Sequence, residues 1–313
     1  MRETGLVYHE DYLLHNAGIG HPERPERLVS IIKHLSEIKL LDKLIGIEPY
    51  PADISWIEAI HTREYIDSVK KASELGNTHL DADTGICPDS YRIALLSAGG
   101  ALAATDAVMD QKIDNAFCAI RPPGHHAEKR YARGFCLFNN IAITARYLQK
   151  NYQLEKILIV DWDVHHGNGT QNSFYDDPTV FYFSIHQWPH YPGSGLLIEK
   201  GVGKGLGFTL NVPLSGGHGN QDYIDAFEDQ LVPAMKTFKP DFILISAGFD
   251  AHYSDPLAGM QLTEKGYVSL TKIVMNLADE FSQGRIISLL EGGYHLDVLA
   301  RSVAAHIEAL MNN

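Results

Sequence analysis

Short apolar runs recur along the chain, and most are followed by a polar cluster rich in His, Asp, Gly and Tyr. GLVYH (5–9), NAFCAI (115–120), KILIVD (156–161), TVFYFSI (179–185), GFTLNV (207–212), DFILISA (241–247) and RIISLLE (285–291) are β-rich, and most are continuous rather than alternating. That is the pattern of parallel strands covered on both faces. The stretches between them have helical spacing. Tyr267, Leu270, Val274, Leu277 and Phe281 recur every three or four residues, as do Leu296, Leu299, Val303, Ile307 and Leu310. Asp53 and Thr263 stand where helix N-caps are expected. Strands alternating with helices predict an α/β fold: a mostly parallel, doubly wound central sheet with helices on both faces. Its ligands would bind beyond the carboxyl ends of the strands. RPPGHH, DWDVHHGNG, HQWPHYPGSG, AGFDAHYSDP and EGGYH all follow their strands, so one sheet edge should gather them into one site.

The densest cluster is DWDVHHGNGTQ. In extended chain Asp161, Asp163 and His165 leave the same face while His166 points elsewhere. Three such groups side by side are costly in a core, and their place at a strand end asks for a metal. Asp163 and His165 are the ligands expected here, and Asp250, at the end of FILISAGFD, is the best third. Two carboxylates and one imidazole leave a coordination position open, as a catalytic metal requires. Zinc suits the set, which would also accept iron(II), cobalt or manganese. His125 and His126, after the RPPG turn, supply imidazoles to serve as a base beside that metal, with Asp161 and Asn168 placed to orient them. Tyr294, behind two glycines, can offer its phenol to a developing oxyanion. Phe135, Tyr191 and Trp188 lie in Gly-rich loops on the same edge, where they either wall a narrow apolar channel or pack in the core.

Composition narrows the setting. The 313 residues, 45% of them hydrophobic, can fill one large core, and no linker, repeat or low-complexity tract divides them, so 1–313 reads as a single domain. The start lacks an apolar stretch for a signal peptide, and no run reads as the roughly 20 apolar residues of a membrane span, so a cytoplasmic protein is expected. Cys87, Cys118 and Cys136 form no Cys-x-x-Cys pair, against a disulfide framework or thiolate zinc site. A net charge of −13 argues against nucleic acid or anionic membranes as partners and mildly favours cationic substrates.

RPPGHHA with RGFCLFNN, VDWDVHHGNGTQ, SIHQWPHYPGSG, SAGFDAHYSDPLAG and LLEGGYH together resemble the zinc-dependent histone deacetylases, in order and spacing, over roughly residues 5 to 311. The resemblance implies an arginase/deacetylase-like single-domain α/β fold and hydrolysis of the acetamide of acetyl-lysine or a related amide. It implies Asp163, His165 and Asp250 as zinc ligands, His126 as general base, His125 as its partner linked to Asp161, and Tyr294 as the group polarising the carbonyl. Phe135 and Tyr191 would flank the acyl-lysine chain, with Gly134 and Gly293 lining the same tunnel and Asp83 holding substrate backbone at the rim. Asp161, the main chain of Asp163 and His165, Ser184 and Ile185 resemble an inner potassium site. Arg24 lies where the family has an arginine near an internal acetate-release cavity. Asn168, in place of the aspartate of class I, resembles class II and its bacterial relatives. Leu257 stands where polyamine-selective members can carry a glutamate gatekeeper, which favours an acyl-lysine protein or peptide, or a neutral substrate, over a small acetylated polyamine. A ureohydrolase with two manganese ions and a non-catalytic acyl-lysine binder are the more distant readings.

Overall fold

The computed structural model describes residues 2–312. Its centre is an eight-stranded sheet in the order β2-β1-β3-β8-β7-β4-β5-β6. The strands are β1 (Thr4–Val7), β2 (Ile45–Ile47), β3 (Asn115–Cys118), β4 (Ile157–Asp161), β5 (Val180–Gln187), β6 (Thr209–Leu214), β7 (Phe242–Ala247) and β8 (Ile286–Leu290). Every pairing is parallel. The continuous apolar runs thus form the strands they predict, because strands buried on both faces have no polar face to display. The short edge strand β2 escapes that pattern: it is only IGI and largely exposed, so no apolar run marks it.

Helices cover both faces. Ser90–Met109 and Asn140–Asn151 pack on each other and against the sheet, and Glu26–Glu37, Glu264–Phe281 and Leu296–Asn312 form the second group. The spaced apolar positions of the last two helices, Tyr267 to Phe281 and Leu296 to Leu310, face inward, and all except half-buried Phe281 and Leu296 are buried. Asp53 caps its helix by accepting from the Ser55 N–H at 2.9 Å. Thr263 occupies the predicted N-cap position, yet its hydroxyl accepts from the Asn220 amide instead of capping.

Helix Ser90–Met109 corrects the expectation that no run suits a membrane span. It is the one described helix long and apolar enough by length and composition, with 78% of its most apolar window buried inside the protein. Its Ala, Gly and Ser residues make it close-packing as well as apolar. At Gly99 an added Cβ would stand 1.6 Å from the Tyr50 carbonyl oxygen, so the helix and the segment before Ala52 touch backbone to backbone. Gly99→Ala should therefore destabilise the fold by about 1–3 kcal/mol through overpacking. The check is a lowered urea midpoint with an unchanged m-value.

Candidate active site

The polar clusters follow β3, β4, β5, β7 and β8, which lie side by side as β3-β8-β7-β4-β5. Chain order β3 to β4 skips across the sheet, and β7 and β8 later fill the gap, so the crevice at that switch point is bordered by every cluster.

Asp163, His165 and Asp250 converge there, with one potential ligand atom from each all within 4.8 Å of one another. His165 Nδ1 lies 3.1 Å from Asp163 Oδ1 and 3.2 Å from Asp250 Oδ2. Backbone N–H groups hold the carboxylates: Val164 donates to Asp250 Oδ1 at 3.0 Å, and Gly292 to Asp163 Oδ2 at 2.7 Å. Gly292 has no substitute, because a Cβ would stand 2.0 Å from Asp250 Oδ2. Burial, and then the charge of Asp163, raise the Asp250 carboxyl. Burial would lower the His165 imidazole, but the two carboxylates outweigh it and push it up to about 10. A proton on His165 is thus what reconciles the trio electrostatically, and a divalent cation would do so better. Trp162, between the two carboxylates of DWD, turns into the core against Phe227 and His306. His166 points away, to Ser194 and Gln171.

The adjacent histidines are held in opposite states. His125 Nδ1 meets Asp161 Oδ2 at 3.0 Å, an oxygen that also accepts from the Tyr182 hydroxyl. Burial works to lower this imidazole, but Asp161, Asp163 and Glu291 together push it up to about 10. His126 Nδ1 meets Asn168 Oδ1 at 2.7 Å. The Asn168 amide nitrogen donates to Glu128 Oε1 at 2.7 Å, which fixes the amide with its oxygen toward the ring. His126 therefore donates from Nδ1 and keeps Nε2 free to accept. Burial, followed by the charges of His125 and His165, holds its pKa well below the ordinary histidine value. The result is a neutral imidazole beside the Asp163, His165 and Asp250 trio.

A cavity of about 190 Å³ reaches this point, lined by Asp83, His126, Gly134, Phe135, His165, His190, Tyr191, Leu257 and Tyr294. Phe135, at φ +69°, carries its ring to 5.9 Å from that of Tyr294, edge to face. Tyr191 meets His126 at 5.1 Å in the same manner. Burial, and then Asp250, raise the Tyr294 phenol well above its usual value, so it stays a donor.

A family profile described as "Histone deacetylase domain" matches residues 21–310. The chain belongs to the histone deacetylase family. It is 42% identical over 296 residues to a "Probable deacetylase" of Archaeoglobus fulgidus, covering 94% of this chain and 82% of that protein. It is 38% identical to "Histone deacetylase 10, chloroplastic" of Oryza sativa subsp. japonica, over 99% of this chain and 74% of the other. It is 39% identical to "Polyamine deacetylase HDAC10" of Homo sapiens, over 99% of this chain but 48% of that protein. Among solved structures, the "Crystal Structure of HDA15 HD domain" matches with a TM-score of 0.95 and 38% identity, covering 100% of this chain and 89% of that one.

Within this deacetylase-family site some expected residues take other places. Gly293 does not line the tunnel: its carbonyl accepts from Arg27 Nε at 2.7 Å while the backbone turns at φ +123°. Trp188 is half-buried, also off the tunnel, and donates its backbone N–H to the Leu214 carbonyl. Arg24 is exposed, and the arginine that enters the interior is Arg27, in the first turn of helix Glu26–Glu37. Arg27 binds the carbonyls of Glu291 and Gly293, and its guanidinium lies 5.1 Å from the centre of the Tyr294 ring. HPERPER offers two arginines: Arg24 lies before the helix Glu26–Glu37, and Arg27, in its first turn, is buried. Of the residues that the resemblance assigns to a potassium ion, Asp161 pairs with Ser184 across β4 and β5, and Ser184 Oγ lies 2.9 Å from His186 Nδ1.

Sequence reading missed three supports. Glu291 Oε2 accepts from the N–H groups of Gly124 and His125, bracing the turn that presents both imidazoles. Asp255 accepts from the N–H groups of Leu257, Tyr294 and His295, tying two tunnel walls together. His190 stacks on His165 at 5.0 Å and bonds through Nε2 to the Leu257 carbonyl at 3.0 Å. The motif glycines signalled close approach, but nothing in the spelling distinguishes these polar residues from ordinary loop residues.

Asn168→Asp should place a carboxylate against His126 Nδ1 and raise the pKa of that base. Once protonated, the base cannot accept, so the acidic limb of the kcat/KM profile should move to higher pH by about one pH unit or more. An unmoved limb would take Asn168 out of contact with the base.

Proposed function

We propose that this chain is a zinc-dependent amide hydrolase that removes acetyl, or another acyl, groups from the ε-amine of lysine in a protein or peptide. The carrying observation is His126, neutral and with Nε2 free, beside the Asp163, His165 and Asp250 trio and across the cavity from Tyr294. The donor set fits a catalytic zinc ion: two carboxylates and an imidazole, already gathered, with no fourth protein ligand in the group. Iron(II) or cobalt would suit the same set, and potassium the neighbouring Asp161, Ser184 and Ile185 with the main chain of Asp163 and His165.

When bound, zinc supplies Lewis acidity toward the scissile carbonyl and the attacking water. The side chains do the rest. His126 takes the proton of the water at Nε2 as its oxygen adds to the acetamide carbon, then returns it to the amine nitrogen as the C–N bond breaks. His125, held charged by Asp161, supplies positive charge beside the developing oxyanion and blocks a second proton from settling on His126. The Tyr294 phenol donates to the oxyanion of the tetrahedral intermediate. Phe135 and Tyr191 give the tunnel apolar aromatic walls suited to a methylene chain, with Asp83 at the lining to accept substrate N–H groups.

The human relative described as a polyamine deacetylase supports a second reading, hydrolysis of a small acetylated amine. Leu257 in the lining, where a carboxylate would greet a second ammonium, favours acyl-lysine. A panel of acetyl-lysine peptides, longer acyl-lysines and acetylpolyamines decides by relative kcat/KM, and acetylpolyamine leading it would overturn the lysine reading. Tyr294→Phe should lower kcat by at least ~10²-fold on the best substrate; unchanged turnover removes the phenol from the chemistry. Asp250→Ala should abolish retention of about one zinc per chain, measured by elemental analysis of folded protein after desalting. Retained zinc would move the ligand set elsewhere.

A further inference from the structure

The tunnel opens beside a cationic patch on a protein whose net charge is −13. Gly134 and Phe135 line the tunnel, and Arg133 immediately precedes them on a tight loop closed by a bridge between Arg133 and Cys136. The Arg133 side chain lies back across Tyr191: Nε donates to the phenolic oxygen at 3.1 Å, Nη2 to the Pro192 carbonyl at 3.3 Å, and Cζ sits 5.4 Å from the ring centre. Lys129 and Arg130, exposed on the same loop, add two charges. Among the described residues, none of the three forms an ion pair.

The acids nearby are held by hydrogen bonds and none is ion-paired with this patch. Glu128, the one carboxylate of this loop, is turned inward and accepts from Asn168 and Asn172. Asp83, tied to the same loop, accepts from the Gly134 N–H and the Thr84 hydroxyl. Asp81 accepts from the N–H groups of Asp83 and Thr84. A substrate entering the tunnel therefore meets a held carboxylate on one side. On the other it meets a guanidinium hydrogen-bonded to neutral partners, offset by the field of Glu128 but held in no ion pair among the described residues.

We infer that the rim at Arg133 selects peptides carrying an aspartate or glutamate side chain next to the acyl-lysine. The inference rests on the deacetylase reading of the tunnel and names its substrate class: acidic lysine-bearing segments rather than basic tails. The overall acidic field, which by itself favours cationic partners, is countered at this rim by Arg133 with Lys129 and Arg130. Arg133 suits the task because its fork is already oriented by Tyr191 and Pro192, so little order is lost on binding a carboxylate.

The test uses the zinc-loaded full chain and three acetyl-lysine peptides with blocked ends, alike except for Asp, Ala or Lys on both sides of the acetyl-lysine. At an ionic strength of about 0.05 M, kcat/KM for the Asp peptide should exceed that for the Lys peptide by at least ~3-fold, and the ratio should shrink at about 0.5 M. Arg133→Gln should bring the ratio toward one, while Arg133→Lys, which keeps charge but not the fork, should retain most of it. A ratio near one in the unaltered protein, or one that Arg133→Gln does not change, overturns the inference. So does an equal fall for all three peptides in both variants, the mark of a residue that only supports Tyr191. If no acetyl-lysine peptide is turned over, the deacetylase reading fails by itself, and fluorescence anisotropy of the same labelled peptides on the Tyr294→Phe protein then decides. Tighter binding of the Asp peptide upholds the rim, and equal or weaker binding overturns it.

Discussion

Asp163 and Asp250 are fully buried carboxylates placed within reach of one imidazole, and the surrounding architecture follows from keeping them there. Two like charges shut away from water repel and are poorly solvated, so each needs N–H donors and a shared cation. The donors come from Val164 and Gly292, at the ends of different strands, and the requirement for Gly at 292 follows from that approach. Breaking such a set by removing one member leaves an uncompensated charge. A group of this kind persists for function, since an apolar core of the same volume would be as stable.

The same field sorts the two neighbouring histidines. His125 and His126 share one turn and nearly the same burial, yet one faces a carboxylate and the other an amide oxygen. Asp161 stabilises a proton that Asn168 can only orient. The charge kept on His125 then adds to burial in holding His126 neutral. Two identical side chains acquire opposite proton preferences through their second partners, so one site can hold both a positive charge and a neutral imidazole.

Much of this was legible in sequence for a physical reason. Strands buried on both faces must be continuously apolar, so β1 and β3 to β8 announce themselves, and parallel topology then places whatever follows them at one edge. The alternation of Asp161, Asp163 and His165 is likewise a local property. What escaped depended on distance in sequence. Arg27 rather than Arg24 turns inward because of how Glu26–Glu37 packs on Leu296–Asn312, a relation no short window contains. Asp255 and Glu291 act through backbone N–H groups, which every residue has, so the partners leave no trace in composition. Helix Ser90–Met109 has the composition of a membrane segment, and only its packing under the sheet shows that its apolar surface is already covered.

The order β3-β8-β7-β4-β5 also separates the chemistry from the sheet's margins. Between those strands and the edges stand β1 and β2 on one side and β6 on the other, and fraying of a sheet begins at its edges. Transient opening of the three-residue β2, or of β6, would expose backbone amides to exchange without loosening a catalytic loop. The site's loops hang instead from strands whose opening demands that the whole sheet come apart. In this protein, the loops that carry the site are rooted in the interior of the sheet, where local opening is least free to begin.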